Sequence, residues 1–400
     1  MRIAFCLRVC PEYLIPLFER LARRYDIEFI VSRFGQAQAF FFDPDRLGGL
    51  PVRALRPPPF ALLPFRSRVL NKLSFWTHII VLSLQLAKAL RRGRYDVLLG
   101  GDFGRFEAVV ACVIARWQGR PYLLWSDTWH WPVTRRDTLR LPLVRWMIRN
   151  SAALIAGGSR AATKLAELGP GTTPVFNVYH TNVSVSALER DPARPGRFVL
   201  YVGRLEERKG VEVLLTAFAR VRTEVPGVRL TIVGRGERRD ALVRLAGDLG
   251  IADAVEFVGW VDHAEIDAYY QRCAVFVLPS IFTREGGYEP FSNVVLEAMA
   301  CGAPVITTTA NGAACDVLED GVNGRVVAQG DVDALATALR ALLTHPEQAE
   351  AMGQRGRATI RERFNADLMA ERFAEALDYV ISSGRPPDGS ASDPAPPASR

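Results

Sequence analysis

The 400-residue chain has no uninterrupted apolar run of about 18 residues, the length a membrane-spanning helix needs. Its longest apolar helix candidate, Leu70 to Leu90, is broken by Lys72, His78, Gln85 and Lys88. The apolar start, Met1 to Cys10, is cut short by Arg8, Pro11 and Glu12. It makes a poor signal peptide and a good first buried strand. Histidine is scarce, and it is lacking near the six cysteines, Cys6, Cys10, Cys112, Cys273, Cys301 and Cys315. No cysteine pair reads as a metal site, so all six are expected to be reduced core residues of a cytosolic protein.

What is present is a globular composition, 49% hydrophobic and 23% charged, over a length that suits two domains. The charge is lopsided. Residues 1–190 carry 27 Lys+Arg against 13 Asp+Glu, and residues 191–400 carry 23 against 30, which leaves the chain at +7. A basic first half points to an anionic partner, either nucleic acid or an anionic membrane surface. No nucleic-acid-binding motif accompanies the charge, and no nucleic acid is expected.

Short apolar runs alternate with amphipathic segments. Ile3–Leu7, Ile27–Val31, Val97–Leu99, Tyr122–Trp125 and Ala153–Ile155 read as strands, and Ile15–Arg24, Ser67–Arg92, Phe106–Gln118 and Arg160–Leu168 as helices. The second half repeats the pattern with strands Phe198–Val202, Arg229–Val233, Val255–Phe257, Val275–Leu278 and Val305–Thr308. Helices Val211–Arg222, Glu237–Leu249 and Asn293–Cys301 lie between them. Such alternation predicts two doubly wound parallel sheets. The expected division is 1–188 and 196–364, with a last helix at about 366–382 and a Pro/Ser/Gly/Ala-rich tail from 384 to 400 that should be disordered.

The densest motif is Tyr288-Glu289-Pro290-Phe291-Ser292-Asn293-Val294-Val295-Leu296-Glu297-Ala298-Met299-Ala300-Cys301-Gly302-Ala303-Pro304-Val305-Ile306. Two carboxylates, Glu289 and Glu297, stand eight positions apart across a loop-to-helix boundary. Ser292 reads as the N-cap, leaving the amides of Asn293, Val294 and Val295 to hold an anion. Earlier, strand Phe198–Val202 runs into Gly203-Arg204-Leu205-Glu206-Glu207-Arg208-Lys209-Gly210. Gly203 turns the backbone at the carboxyl end of the strand, where open α/β sheets bind ligands, and Arg204 and Lys209 put cations there. Acids, cations and helix amides in this order suit a nucleotide-sugar.

These segments resemble the Glu-x7-Glu and Gly-Arg-Leu…Lys-Gly motifs of retaining glycosyltransferases, most closely glycosyltransferase family 4 (glycosyl transferases group 1). The family usually has Gly where this chain has Ser292. The resemblance implies the GT-B fold, two Rossmann-like domains facing a cleft, with the final helix crossing back to the first. It implies transfer, with retention, from a nucleotide-sugar donor to a saccharide or lipid-linked acceptor hydroxyl, with no cofactor and no metal. It assigns Arg204 and Lys209 to the donor diphosphate and Glu289 to the donor sugar. Phe291, Ser292 and Asn293 would make backbone contacts, and Glu297 would take the ribose hydroxyls. Val258-Gly259-Trp260-Val261 resembles the loop framing the nucleobase, Val261 included. Gly234-Arg235-Gly236-Glu237 lacks the third glycine of a dinucleotide fingerprint and reads as a turn beside the donor.

The acceptor side is expected along the ends of the first-domain strands. Asp127 and His130, in Ser126-Asp127-Thr128-Trp129-His130-Trp131, are the candidate proton acceptors, Asp127 the nearer to the strand. Asp102 is a further candidate, and His180 and Asn182 could line the cleft. Asp43-Pro44-Asp45 and Asp331-Val332-Asp333 read as loop and helix-start chemistry rather than metal ligands. Phe40-Phe41-Phe42 and the Arg53–Arg68 stretch interleave aromatic and apolar residues with arginine. They either dock on an anionic bilayer, peripheral to the inner face of the membrane, or fill the core beneath an insertion. A nucleotide-sugar epimerase of the same fold is the other enzymatic reading, and a basic nucleic-acid-binding protein is the nonenzymatic one.

Overall fold

The computed structural model describes residues 1–8, 14–32, 49–55, 68–181, 183, 196 and 198–383, with backbone alone at 68–75 and 263–264. The first sheet is built from β1 (Arg2–Leu7), β2 (Asp26–Ser32), β3 (Val52–Leu55), β4 (Val97–Gly100), β5 (Tyr122–Ser126), β6 (Ala153–Ala156) and β7 (Val175–Asn177). Every pairing is parallel, in the order β3-β2-β1-β4-β5-β6-β7. Helices α1 (Ile15–Arg24), α2 (Arg68–Arg92), α3 (Phe106–Gln118), α4 (Arg135–Arg149) and α5 (Ser159–Leu168) connect the strands. Strands β4, β5 and β6 are buried from end to end, as a sheet covered on both faces requires.

The second sheet contains β8 (Phe198–Val202), β9 (Arg229–Val233), β10 (Val255–Gly259), β11 (Val275–Leu278), β12 (Val305–Thr308) and β13 (Arg325–Val327), in the order β10-β9-β8-β11-β12-β13. It too is entirely parallel. Its helices are α6 (Val211–Glu224), α7 (Arg239–Asp248), α8 (His263–Arg272), α9 (Asn293–Ala300), α10 (Ala314–Val317), α11 (Val332–Thr344) and α12 (Pro346–Arg363), and the chain continues into α13 (Ala366–Ser383). The strand order reverses between β1 and β4 and again between β8 and β11. Crevices therefore open at the carboxyl ends of both sheets.

Helix α13 packs on the first sheet, not the second. Met369, Phe373, Ala376, Leu377 and Val380 join the core of β1, β2 and α1. Arg20 and Tyr25 of that region pair with Asp367 and Asp378.

Several elements escape the sequence pattern. Strands β3, β7 and β13 are three or four residues long and only partly buried, too short for a periodicity to register. Helix α4 carries Pro142 and an arginine-rich face. Cys6, Cys112, Cys273 and Cys301 are buried free thiols, but Cys315 is exposed on the one-turn helix α10, a correction to its expected core place. The chain from Arg53 to Leu55 forms the edge strand β3, where Arg53 pairs with Glu28 at 2.7 Å. The remainder of that stretch to 67, the 40–45 segment with both its aspartates, Cys10, Asn182, the residues between the two sheets from 184 to 195, and the 384–400 tail lie outside the described residues. Asp331 caps α11 by accepting from the Ala334 amide at 2.9 Å, and Asp333 pairs with Arg220. Among the described residues no group of three His, Cys, Asp or Glu is gathered for a metal. No helix among them is long and apolar enough to cross a membrane.

Candidate active site

The site begins at the strand ends of the second sheet. Gly203, Gly234 and Gly259 stand side by side where β8, β9 and β10 finish. The Gly203 amide donates to Val233 O at 3.0 Å, and the Gly234 amide to Gly259 O at 2.7 Å. A Cβ on Gly234, whose φ is 138°, would lie 1.8 Å from Gly203 O. These three ends therefore present bare backbone, the surface a phosphate or nucleoside can approach closely. Val261 follows β10 half-buried, with Trp260 exposed beside the Arg235 guanidinium.

After Gly203 the chain makes a single 3-10 turn, Glu207–Lys209, ahead of α6. The turn buries Lys209 and aims its Nζ at Glu289 Oε2, 2.5 Å away. Arg208 Nη1 reaches the same oxygen at 2.7 Å, and its Nε binds Glu206 at 3.1 Å. Arg204 is more exposed and pairs with Glu206. The cation beside Glu289 and Lys209 is thus Arg208, a residue the sequence reading passed over. Its adjacency to Lys209 in a turn after a strand end was the available signal.

Glu289 is buried in the loop between β11 and α9. Ser292 is the N-cap of α9, as expected, but its hydroxyl makes no cap bond and is buried without a partner, as is Asn293 Oδ1. The Val295 amide is taken by Ser292 O at 3.2 Å, a correction that leaves Asn293 and Val294 as the open amides of that turn. Glu297, a turn further on, accepts from Tyr270 Oη at 3.0 Å. Burial drives the Tyr270 phenol well above its ordinary value, so it stays a donor.

The first domain faces this loop with the segment after β5. Asp127 is engaged on both oxygens, Oδ2 with His180 Nδ1 at 2.8 Å and Oδ1 with Trp125 Nε1 at 3.1 Å. The His180 ring lies nearly parallel to that of Phe291 across the cleft, at 15° and 6.3 Å between centroids. The structure therefore joins Asp127, His180 and Phe291 in one chain of contacts. His130 is placed differently: it is exposed and lies against Phe282 and Tyr288 of the second domain. Asp102 accepts from Ser126 Oγ at 3.0 Å and Thr128 Oγ1 at 3.2 Å, holding the loop from beneath. Desolvation raises its pKa, against the pull of Arg105 and with the push of Asp127. Glu107, at the start of α3, is also raised by burial, and its Oε2 has no hydrogen-bond partner.

Two facing parallel-sheet domains with a cleft between their strand ends define the GT-B fold. Two solved structures share it: Anabaena HepE in complex with UDP and glucose (TM-score 0.73, 20% identity, 94% of this chain and 99% of that one), and sucrose-phosphate synthase from Thermosynechococcus elongatus (TM-score 0.73, 22% identity, 96% and 100%). Residues 189–359, which carry Gly203, Lys209, Glu289 and Glu297, match the family model of glycosyl transferases group 1. A glycogen synthase of Mycobacterium tuberculosis is 35% identical over 245 residues, 60% of this chain and 56% of the relative. A GDP-mannose-dependent alpha-(1-6)-phosphatidylinositol monomannoside mannosyltransferase of Mycolicibacterium smegmatis is 39% identical over 252 residues, 62% of this chain and 65% of the relative. The matches span between about half and two thirds of those relatives' lengths.

Proposed function

We propose that the protein is a glycosyltransferase that moves a sugar from a nucleotide-sugar to a hydroxyl of a saccharide or lipid-linked acceptor, with retention and without a metal. The observation that carries this reading is the buried Glu289 carboxylate held by Lys209 and Arg208 at the mouth of the glycine-lined strand ends, inside the stretch that matches glycosyl transferases group 1. Bare backbone at Gly203 and Gly234 admits a diphosphate. Lys209, with Arg208 and Arg204 on the same loop, meets the charge that grows on the leaving nucleoside diphosphate, an interaction stronger in the transition state than in the ground state. The open amides of Asn293 and Val294 add helix-terminus dipoles to the same charge. Phe291 and Glu289 frame the donor sugar, Glu297 the ribose, and Val261 the base. Asp127 orients His180 towards Phe291 and so serves the acceptor side through His180; Asp102 supports their loop.

The UDP-bound neighbour and the mannosyltransferase relative support a nucleotide-sugar donor. Helix α4 supports an anionic membrane surface as a partner. Leu139, Leu143 and Trp146 are exposed on it among five exposed arginines, 135, 136, 140, 145 and 149. Salt-sensitive flotation with anionic vesicles is the expected result, and no binding at low salt removes the membrane from the proposal. For the activity, thermal shifts with uridine, guanosine and adenosine diphosphate sugars should single out one donor by mass action. Transfer from that donor should then give a product of unchanged anomeric configuration, and turnover should persist in chelator. Conversion of the donor without acceptor would identify an epimerase instead.

A further inference from the structure

We propose that Trp129 is a positioning residue that ties the placement of Glu289 to the docking of the two domains. The inference rests on the glycosyltransferase reading for its consequence, but its geometry stands apart from it. Trp129 belongs to the first domain, three residues beyond β5, yet its indole N–H donates to the backbone carbonyl of Glu289 at 3.0 Å. Its ring meets Tyr288 edge-on at 5.3 Å and Phe282 at 5.6 Å. The Arg160 guanidinium lies 4.6 Å from the ring centroid and donates to the carbonyls of Thr309 and Asn311 at 2.9 and 3.3 Å. The second domain is shaped to receive the indole: a Cβ on Gly312 would lie 2.5 Å from Trp129 Nε1 and 1.8 Å from Pro290 O.

Both ends of this contact are held. On the first-domain side, Asp102 binds Ser126 and Thr128, which fixes the loop that carries the indole. On the second-domain side, Glu289 O also accepts from the Gly312 amide at 3.0 Å, so the two donors fill its two acceptor sites. The Glu289 side chain is meanwhile fixed by Lys209 and Arg208. Residue 289 is thus set at its side chain by its own domain and at its backbone carbonyl by both. Opening the cleft releases the Trp129 donor and leaves the Gly312 bond and the Lys209–Arg208 grip intact. A donor that binds the second domain alone therefore meets a fully positioned Glu289 only when Trp129 is seated. Trp131, two residues on, packs edge-on to Phe103 of its own domain at 5.3 Å and provides the control.

The test uses the full chain and three variants, W129F, W131F and G312A, with hydrogen exchange read by mass spectrometry and with UDP and GDP as binding probes. W129F keeps a ring and loses the N–H. It should raise amide exchange across residues 286–296 by about fivefold, the weight of one ordinary hydrogen bond, and leave residues 97–126 at the wild-type rate. Affinity for whichever of UDP or GDP binds should stay within about twofold, while kcat for the matching donor falls by about tenfold. G312A should reproduce the pattern from the opposite side, and W131F should not. Wild-type exchange at 286–296 in W129F, or an equal rise at 97–126, overturns the proposal. If neither nucleotide binds the wild-type protein, the donor-binding reading fails, and the exchange pattern alone still decides the role of Trp129.

Discussion

Lys209 depends on Glu289 more than Glu289 depends on Lys209. Both are buried and 2.5 Å apart, so the loss of Glu289 leaves the Lys209 charge uncompensated in a poorly solvated place, whereas Arg208 still pairs with Glu289 when Lys209 is lost. Lys209→Ala should lower kcat by about two to three orders of magnitude, measured with the donor found by thermal shift, because on the proposed mechanism it removes a cation that meets the charge growing on the leaving group. Arg208 stays on Glu289 in that variant, so the fold should persist, and a protein with near-normal turnover would remove Lys209 from the mechanism. Glu107 makes a different argument. Its folded-state pKa is raised, chiefly by desolvation, so the folded protein binds its proton more tightly than the unfolded chain does. Its contribution is fully present below the unfolded pKa and is lost as pH rises through the folded one. The stability of Glu107→Gln relative to wild type should therefore climb as pH rises above the ordinary carboxyl range of about 4 in urea titrations. A gap that stays constant over that rise would contradict the assignment. These residues were unequally legible. Glu289, Lys209 and Glu297 announce themselves through local order; Arg208, Glu107 and Trp129 do not, because what defines them is a partner 75 to 160 positions away.

At the scale of elements, the site is a row of strand ends with one helix start beside it. The β8, β9 and β10 termini meet through Gly203, Gly234 and Gly259, and the row is tight enough that the middle position tolerates no side chain. Gly234→Ala forces a Cβ against Gly203 O at a φ of 138°. It should cost about 1–3 kcal/mol in urea unfolding and weaken nucleotide binding as well. An unaltered midpoint would mean the strand ends can separate without penalty. Gly234 was legible as a turn residue, since the missing third glycine excluded a dinucleotide fingerprint. Its contact with Gly203 was not, because strand order is a property of the sheet. The α9 start shows the same division. Sequence placed Ser292 at the cap, yet its hydroxyl is left without a partner and the Val295 amide is spent on Ser292 O.

For the molecule as a whole, the two domains are joined by the returning helix α13 and by the Trp129 seat. Phe373 of α13 is fully buried, 5.8 Å from Phe5 and 5.7 Å from Trp125 between ring centroids. Phe373→Ala should destabilise the first domain by about 3–5 kcal/mol. Exchange should rise in β1 and β5, read by mass spectrometry, with the second sheet much less affected; loss confined to α13 would show that the helix is dispensable to that core. The sequence by itself determined the alternation of strand and helix, the two parallel sheets and the Glu289–Glu297 and Gly203–Lys209 motifs. Each of these is written in a contiguous run whose periodicity or turn chemistry acts over a few residues. Only the tertiary structure decided that Asp127 binds His180, that Arg208 joins Lys209 on Glu289, and that Trp129 of one domain holds the backbone of the other. Those contacts join segments that the chain keeps far apart, and only the packing of two sheets brings such groups within hydrogen-bonding reach.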